Sequence, residues 1–212
     1  MRIGVTQRVE YVSGYNEVRD CLDQRWSEFF DRLELSLVPI PNNLQKVGDW
    51  LEDMQCDGYL LTGGNDLSSL ENSKNSSSLR DVTETSVLSY AESRAVPVIG
   101  VCRGLQIMNS YLGGKLSRVS GHTATRHTVT MCFNPRDPYT NRDVLSFHDW
   151  GVAAGDLAKT LIPCGYDEKK NIEAARHRHL PWIGMMWHPE REERFDAADL
   201  EIFDTHFRRS SS

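Results

Sequence analysis

Apolar positions along the chain alternate between a strand-like and a helix-like spacing. Arg2 to Thr6 reads as a short strand, and Asn16 to Leu33 as an amphipathic helix with Leu22, Trp26, Phe29, Phe30 and Leu33 on one face. Leu35 to Ile40 returns as a strand closed by Pro41, and Val47 to Met54 follows as a helical turn. Gly58 to Thr62 is an apolar run that stops at Gly63-Gly64-Asn65-Asp66, a strand followed by a turn. Ser68 to Ser78 is too polar to bury and reads as a mobile surface loop, because the alternation resumes at once with a helix over Arg80 to Arg94. Val96 to Val101 is almost entirely apolar, as suits a central parallel strand covered on both faces. It ends at Cys102, and Arg103 to Leu112 has helical spacing up to Gly113-Gly114. Shorter strand-like pieces follow around His127 to Phe133, Val144 to His148, Ile172 to His177 and Trp182 to Trp187, before a closing helix from Asp196 to Arg208. This order predicts an α/β fold with an open, mostly parallel sheet flanked by helices, and ligands outside the carboxyl ends of its strands.

Composition narrows the class. With 212 residues, 39% of them hydrophobic, the expectation is one folded domain covering 1–212. The formal charge of −6 and the lack of a Lys/Arg block argue against nucleic acid as a partner. No window approaches the roughly 18 apolar residues of a membrane span, so a cytoplasmic protein without a membrane partner is expected. The five cysteines, Cys21, Cys56, Cys102, Cys132 and Cys164, are odd in number and show no C-x-x-C spacing. Neither a disulfide framework nor a four-thiolate zinc site fits, and at least one thiol is left free.

Cys102 is the thiol with a context. Gly100-Val101-Cys102-Arg103-Gly104 stands between a buried strand and a helix, the thiol counterpart of the G-x-S-x-G nucleophile elbow. A turn that sharp tolerates only small neighbours and exposes its middle residue above the sheet. The following helix offers unpaired amides and a partial positive charge that favour thiolate. A thiol nucleophile needs a base, and the base an orienting acceptor. His188 leaves the end of the Trp182 to Trp187 run, Pro189 stiffens the link, and Glu190 can reach back to the imidazole. Backbone donors for a tetrahedral oxyanion are available at Arg103 and at the Gly63-Gly64 turn. The bland alternatives are a buried cysteine, a turn histidine and ordinary turn glycines. His122 and His127 lie five residues apart in a Gly/Thr-rich loop with no third ligand suggested, so no metal is expected, and no cofactor.

With these residues in place the chain resembles the class I glutamine amidotransferases, in particular their free-standing γ-glutamyl hydrolase branch. The resemblance runs through Thr62-Gly63-Gly64-Asn65-Asp66, Arg80-Asp81, Gly100-Val101-Cys102-Arg103-Gly104-Leu105-Gln106, Gly113-Gly114, Ser146-Phe147-His148 and Trp187-His188-Pro189-Glu190. It implies the family's flavodoxin-like fold and a Cys102-His188-Glu190 triad that cleaves a γ-glutamyl amide through a thioester. It further implies oxyanion amides at Gly64 and Arg103, and a glutamyl site that includes Gln106, with Ser146 and His148 as further candidates.

The opening segment, Val5 to Arg8 and Tyr15 to Asp20, is similar to a compact subgroup linked to bacterial surface-polysaccharide synthesis. That similarity implies γ-glutamyl-CDP-amidate as substrate, giving glutamate and cytidine diphosphoramidate. Gln7, Arg8 and Tyr11 sit just beyond the first strand and are candidates for the nucleotide part. Two other readings stay open: a glutamine amidotransferase subunit that gives ammonia to a separate synthase, and a catalytically silent binding module. A homodimer is also compatible with the sequence.

Overall fold

The computed structural model describes residues 1–73, 75–134 and 136–209. Strand β1 (Arg2–Thr6) leads into a hairpin of β2 (Arg8–Val12) and β3 (Glu17–Cys21), then helix α1 (Gln24–Arg32). Next come β4 (Ser36–Ile40), α2 (Val47–Met54), β5 (Gly58–Leu61), α3 (Ser78–Arg94), β6 (Val98–Val101) and α4 (Arg103–Tyr111). The remainder supplies β7 (Ser117–Arg118), β8 (Thr123–Met131), β9 (Thr140–Phe147), β10 (Trp150–Gly151), β11 (Leu161–Tyr166), β12 (Ile172–His177), β13 (Trp182–Met185) and α5 (Ala197–Arg209). The large sheet has the order β4-β1-β5-β6-β13-β12-β11-β8-β9. From β4 to β13 the pairings are parallel. From β13 to β9 they are antiparallel. The expected parallel sheet is therefore one half of a mixed one.

Strand residues alternate between two apolar layers. Leu60, Ile99 and Val101 face Trp26, Phe29 and Phe30 of α1 and Phe203 and Phe207 of α5. Tyr59, Leu61 and Val98 face Leu51 of α2, Val87 and Leu88 of α3, and Leu105 and Met108 of α4. β5, β6 and β13 are buried along their whole length, which is why they read as unbroken apolar runs. Their parallel pairing brings Thr62, Cys102 and the Met186-Trp187-His188 segment to one edge of the sheet.

Two elements differ from the sequence expectation. The helix expected from Asn16 starts only after Asp23, whose side chain accepts from Arg25 N as an N-cap. Every buried α1 side chain lies beyond that cap, whereas Glu17 to Asp20 are exposed and pair with β2. Strand β11 has no clear sequence signal because Pro163 and Gly165 interrupt its apolar pattern, at the point where its register with β12 shifts. Among the described residues no helix is long and apolar enough to cross a membrane.

Candidate active site

The turn after β6 holds Cys102 at φ 52°, ψ −104°, a left-handed conformation for a residue with a side chain. Such a conformation costs about 1–3 kcal/mol and persists only where the surroundings impose it. Here they do: Cys102 N donates to Met185 O at 2.7 Å, and Leu105 N and Gln106 N donate to Cys102 O at 3.0 and 3.2 Å. The neighbouring glycines are required by contact. A Cβ on Gly104 would stand 2.1 Å from Leu61 O, and one on Gly100 would stand 2.6 Å from the Gly104 carbonyl carbon. Only without those side chains can α4 lie against β5 and β6 closely enough to aim its first, intrahelically unpaired amides at the space beside Cys102.

His188 stands where the chain leaves β13, its amide donating to Leu145 O of β9 at 3.1 Å. A short 3-10 turn over Pro189–Arg191 then folds Glu190 back, and His188 Nδ1 lies 2.7 Å from Glu190 Oε1, with both side chains 2% exposed. A carboxylate accepts, so Nδ1 carries the proton and Nε2 is left for the hydrogen bond with Cys102. Burial works to lower the imidazole pKa, but the charges of Cys102 and Glu190 and the hydrogen bonds to both outweigh it, raising the pKa to about 9. His188 is therefore an imidazolium at neutral pH, paired with Glu190 on one side and facing Cys102 on the other. Gly63 packs directly under the ring, since a Cβ there would lie 2.5 Å from His188 Cε1.

Cys102 opens onto a cavity of about 130 Å³ lined by Gly64, Asp66, Arg103, Gln106, Thr123, Phe147, His148, Asp149 and Trp150. Gly64 adopts φ 124°, which turns the Gly63-Gly64 backbone toward this space. Gln106 Nε2 donates to Trp150 O at 2.8 Å. His148 donates from Nδ1 to the same carbonyl at 3.0 Å, and burial together with the neighbouring His122 lowers its pKa to about 3. Strand alternation sends Ser146 inward, fully buried and with no hydrogen-bond partner for Oγ among the described residues, and turns Phe147 outward to the cavity. The Phe147 ring meets the edge of His188 at 5.8 Å between centroids and lies under Arg191 at 4.5 Å.

The three residues read as a nucleotide site are spread out. Arg8 lines a second cleft, of about 220 Å³, on the other side of the glycine turn together with Gly63, Gly64, Glu190 and Arg191. Gln7 is instead tied to the sheet edge, donating to Ile40 O and accepting from Asn42 Nδ2, both at 3.0 Å. Tyr11 is 65% exposed on the β2–β3 hairpin and lines neither cleft.

Behind His148 the fold gathers donors that are far apart in sequence. His122, His148 and Glu173 bring one ligand atom each to within 4.8 Å of one another, and His127 Nε2 lies 3.5 Å from Glu173 Oε2. These are the residues that could hold a metal among those described. The neighbours of His122 and His127 are His148, just after β9, Glu173 of β12, and Asp167 between β11 and β12, which a loop-local reading cannot see. In the structure His122 Nε2 pairs with Asp167 at 3.2 Å, and burial keeps His122 and His148 neutral and raises the Glu173 pKa.

A family model described as Peptidase C26 matches residues 3–190. The chain belongs to the peptidase C26 family. This C26 chain is 29% identical over 193 residues, 91% of each chain, to a gamma-glutamyl-CDP-amidate hydrolase of Campylobacter jejuni subsp. jejuni serotype O:2. It is 25% identical over 158 residues, 72% of each chain, to a glutamine-hydrolyzing GMP synthase subunit from Methanospirillum hungatei. A glutamine amidotransferase of Thermotoga maritima has the same fold, with a TM-score of 0.67, 16% identity, and coverage of 98% of this C26 chain and 84% of that one. The class I glutamine amidotransferase fold expected from the sequence is thus the fold observed.

Phe147, Trp150 and Arg191 border the clefts, and no local sequence signal gives them a role. Arg80 is visible in the sequence only as part of the Arg80-Asp81 landmark, and Glu84 not at all, yet both are fully buried beneath the glycine turn. The Arg-Asp-x-x-Glu spacing over Arg80 to Glu84 is the one signal that could reveal them, but charges four apart on a helix are ordinarily solvated.

Proposed function

We propose that this C26 chain hydrolyses a γ-glutamyl amide through a thioester on Cys102. The observation that carries the reading is the arrangement of Cys102, His188 and Glu190: a strained thiol at a helix N-terminus, hydrogen-bonded to a buried imidazole that a carboxylate orients at 2.7 Å. Cys102 Sγ attacks the γ-carbonyl carbon, and the carbonyl oxygen takes the negative charge facing the Gly64 and Arg103 amides. His188 gives the thiol-derived proton to the leaving nitrogen, the C–N bond breaks, and the glutamyl thioester remains. Water, losing a proton to the now neutral His188, attacks the thioester and releases glutamate and the Cys102 thiol. Glu190 keeps Nδ1 protonated so that Nε2 does the transfer. Gln106 and His148 border the space for the glutamyl end, Ser146 supports the same strand from within, and Phe147 covers His188.

For the leaving group we propose a cytidine diphosphoramidate, with a role in surface-polysaccharide modification. The relative named for that substrate, aligned over 91% of each chain, supports this choice. So does the size of the site: the cavity at Cys102 suits a glutamyl arm, and a nucleotide must extend outside it. Arg8 and Arg191, across the glycine turn, offer cations for a diphosphate there. The direct test compares glutamate release from γ-glutamyl-CDP-amidate and from glutamine. Release from the former that disappears in Cys102→Ala supports the reading; equal release by Cys102→Ala overturns it. The similarity to a GMP synthase component favours a second reading, an ammonia-supplying subunit. Glutamine hydrolysis that rises only when a synthase partner is added would support that one.

A further inference from the structure

Beneath the two candidate oxyanion donors lies a set of charges that the chemistry above does not use. Arg80, Glu84 and Arg103 are each at most 1% exposed. Glu84 receives one guanidinium on each carboxylate oxygen, Arg80 Nε at 2.9 Å on Oε1 and Arg103 Nη1 on Oε2. Asp81 accepts from the other end of Arg103. Removing such charges from water is expensive, and apolar replacements often serve stability as well, so stability is a weak reason for the arrangement.

What the guanidiniums hold gives a stronger one. Arg80 Nη2 donates to Thr62 O at 2.7 Å and to Thr62 Oγ1 at 3.1 Å, and Nη1 donates to Asn65 Oδ1 at 3.3 Å, bracketing Gly63-Gly64 on both sides. It also packs against Gly64 itself, where a Cβ would come 2.7 Å from Arg80 Nη1. Thr6 Oγ1 adds a link, donating to Glu84 Oε1 at 2.8 Å and accepting from Thr62 N at 3.1 Å. On the other side, Arg103 opens α4 immediately after Cys102. One carboxylate of α3 thus ties together the two backbone segments whose amides face the reacting carbonyl.

We infer that Arg80 and Glu84 are positioning residues that fix the separation of the Gly64 and Arg103 amides and so shape the oxyanion hole without touching substrate. The inference rests on the proposed reading that these amides receive an oxyanion, and its test does not depend on the natural substrate. Two reactions of Cys102 are compared in the purified full chain. With p-nitrophenyl acetate, the S–C bond forms and the C–O bond breaks, p-nitrophenolate leaves with the electron pair, and the path crosses an oxyanion. With iodoacetamide, Sγ displaces iodide at a saturated carbon and no oxyanion forms.

In Glu84→Gln the ratio of acylation to alkylation rates is expected to fall about 10- to 100-fold, in line with loss of an oxyanion donor's aim. Alkylation and its pH profile stay close to wild type, and on a γ-glutamyl amide kcat falls while KM barely moves. Thr6→Val, a milder cut in the same linkage, shows a smaller fall of the same sign and serves if Glu84→Gln does not fold. An unchanged ratio in the folded variant, or both rates falling together, overturns the inference. A wild-type chain that p-nitrophenyl acetate cannot acylate overturns it as well. A changed ratio in a chain that hydrolyses no γ-glutamyl amide leaves the inference standing and removes the proposed function.

Discussion

The proton on His188 depends on its two neighbours, and each can be removed separately. Burial alone lowers an imidazole pKa; here the Cys102 and Glu190 charges raise it to about 9. A group whose folded pKa is raised contributes stability that is fully present below its unfolded value near 6.5 and is lost as pH rises through about 9. Cys102→Ala removes the largest raising influence, so an NMR titration should show His188 losing its proton at lower pH than in wild type, and urea unfolding should show a smaller alkaline loss of stability. An unmoved titration would mean the sulfur does not share the proton. Glu190→Gln keeps the shape but lets Nδ1 lose its defined partner, and kcat should fall about 10²–10⁴-fold, as when an orienting carboxylate is removed from a triad. Steady-state kinetics checks this. At this scale Cys102, His188 and Glu190 were legible because each sits at a break between an apolar run and polar residues. Arg80 and Glu84 were not, because nothing local distinguishes a buried ion pair from a solvated one.

Among the elements, the contact of α4 with β5 carries the tightest constraint. Adding one methyl at Gly104 sets a Cβ 2.1 Å from the Leu61 carbonyl oxygen, backbone against backbone, so α4 must lift and the elbow with it. Gly104→Ala should destabilise by about 3 kcal/mol or more, with activity lost. Gly48→Ala in α2 is the matched control: among the described residues nothing lies within 4 Å of the added Cβ. It should be neutral or stabilising by up to about 1 kcal/mol through helix propensity. Denaturant melts of both decide the matter. The elements around this contact could be read from apolar runs because both of their faces are covered. The β2–β3 hairpin could not, since its Glu17 to Asp20 strand is exposed and pairs with β2 outside the large sheet.

Across the whole molecule, the cavity joins the two halves of the sheet. The parallel half brings Gly64, Cys102 and Arg103, while Phe147 ends β9, His148 follows it, and Trp150 comes from β10. A ligand that bridges them stabilises the folded chain as a unit, by about 2.7 kcal/mol at one hundred times its Kd. Cys102→Ala with a γ-glutamyl amide should therefore melt at a higher temperature than without it; no shift at saturating concentration would mean that the cavity does not take a glutamyl group. The antiparallel half was the less legible one, because His122, His148 and Glu173 converge only once β8, β9 and β12 share a sheet.

The central claim, a glutamyl thioester on Cys102, is tested most directly by acid-quenching the chain during turnover of γ-glutamyl-CDP-amidate and locating any adduct by peptide mass spectrometry. The predicted result is one glutamyl group on Cys102, absent from Cys102→Ala and increased in Glu190→Gln if its loss slows attack by water more than acylation. Release of glutamate with no adduct on Cys102, or with the adduct on Cys21, Cys56, Cys132 or Cys164, would contradict it.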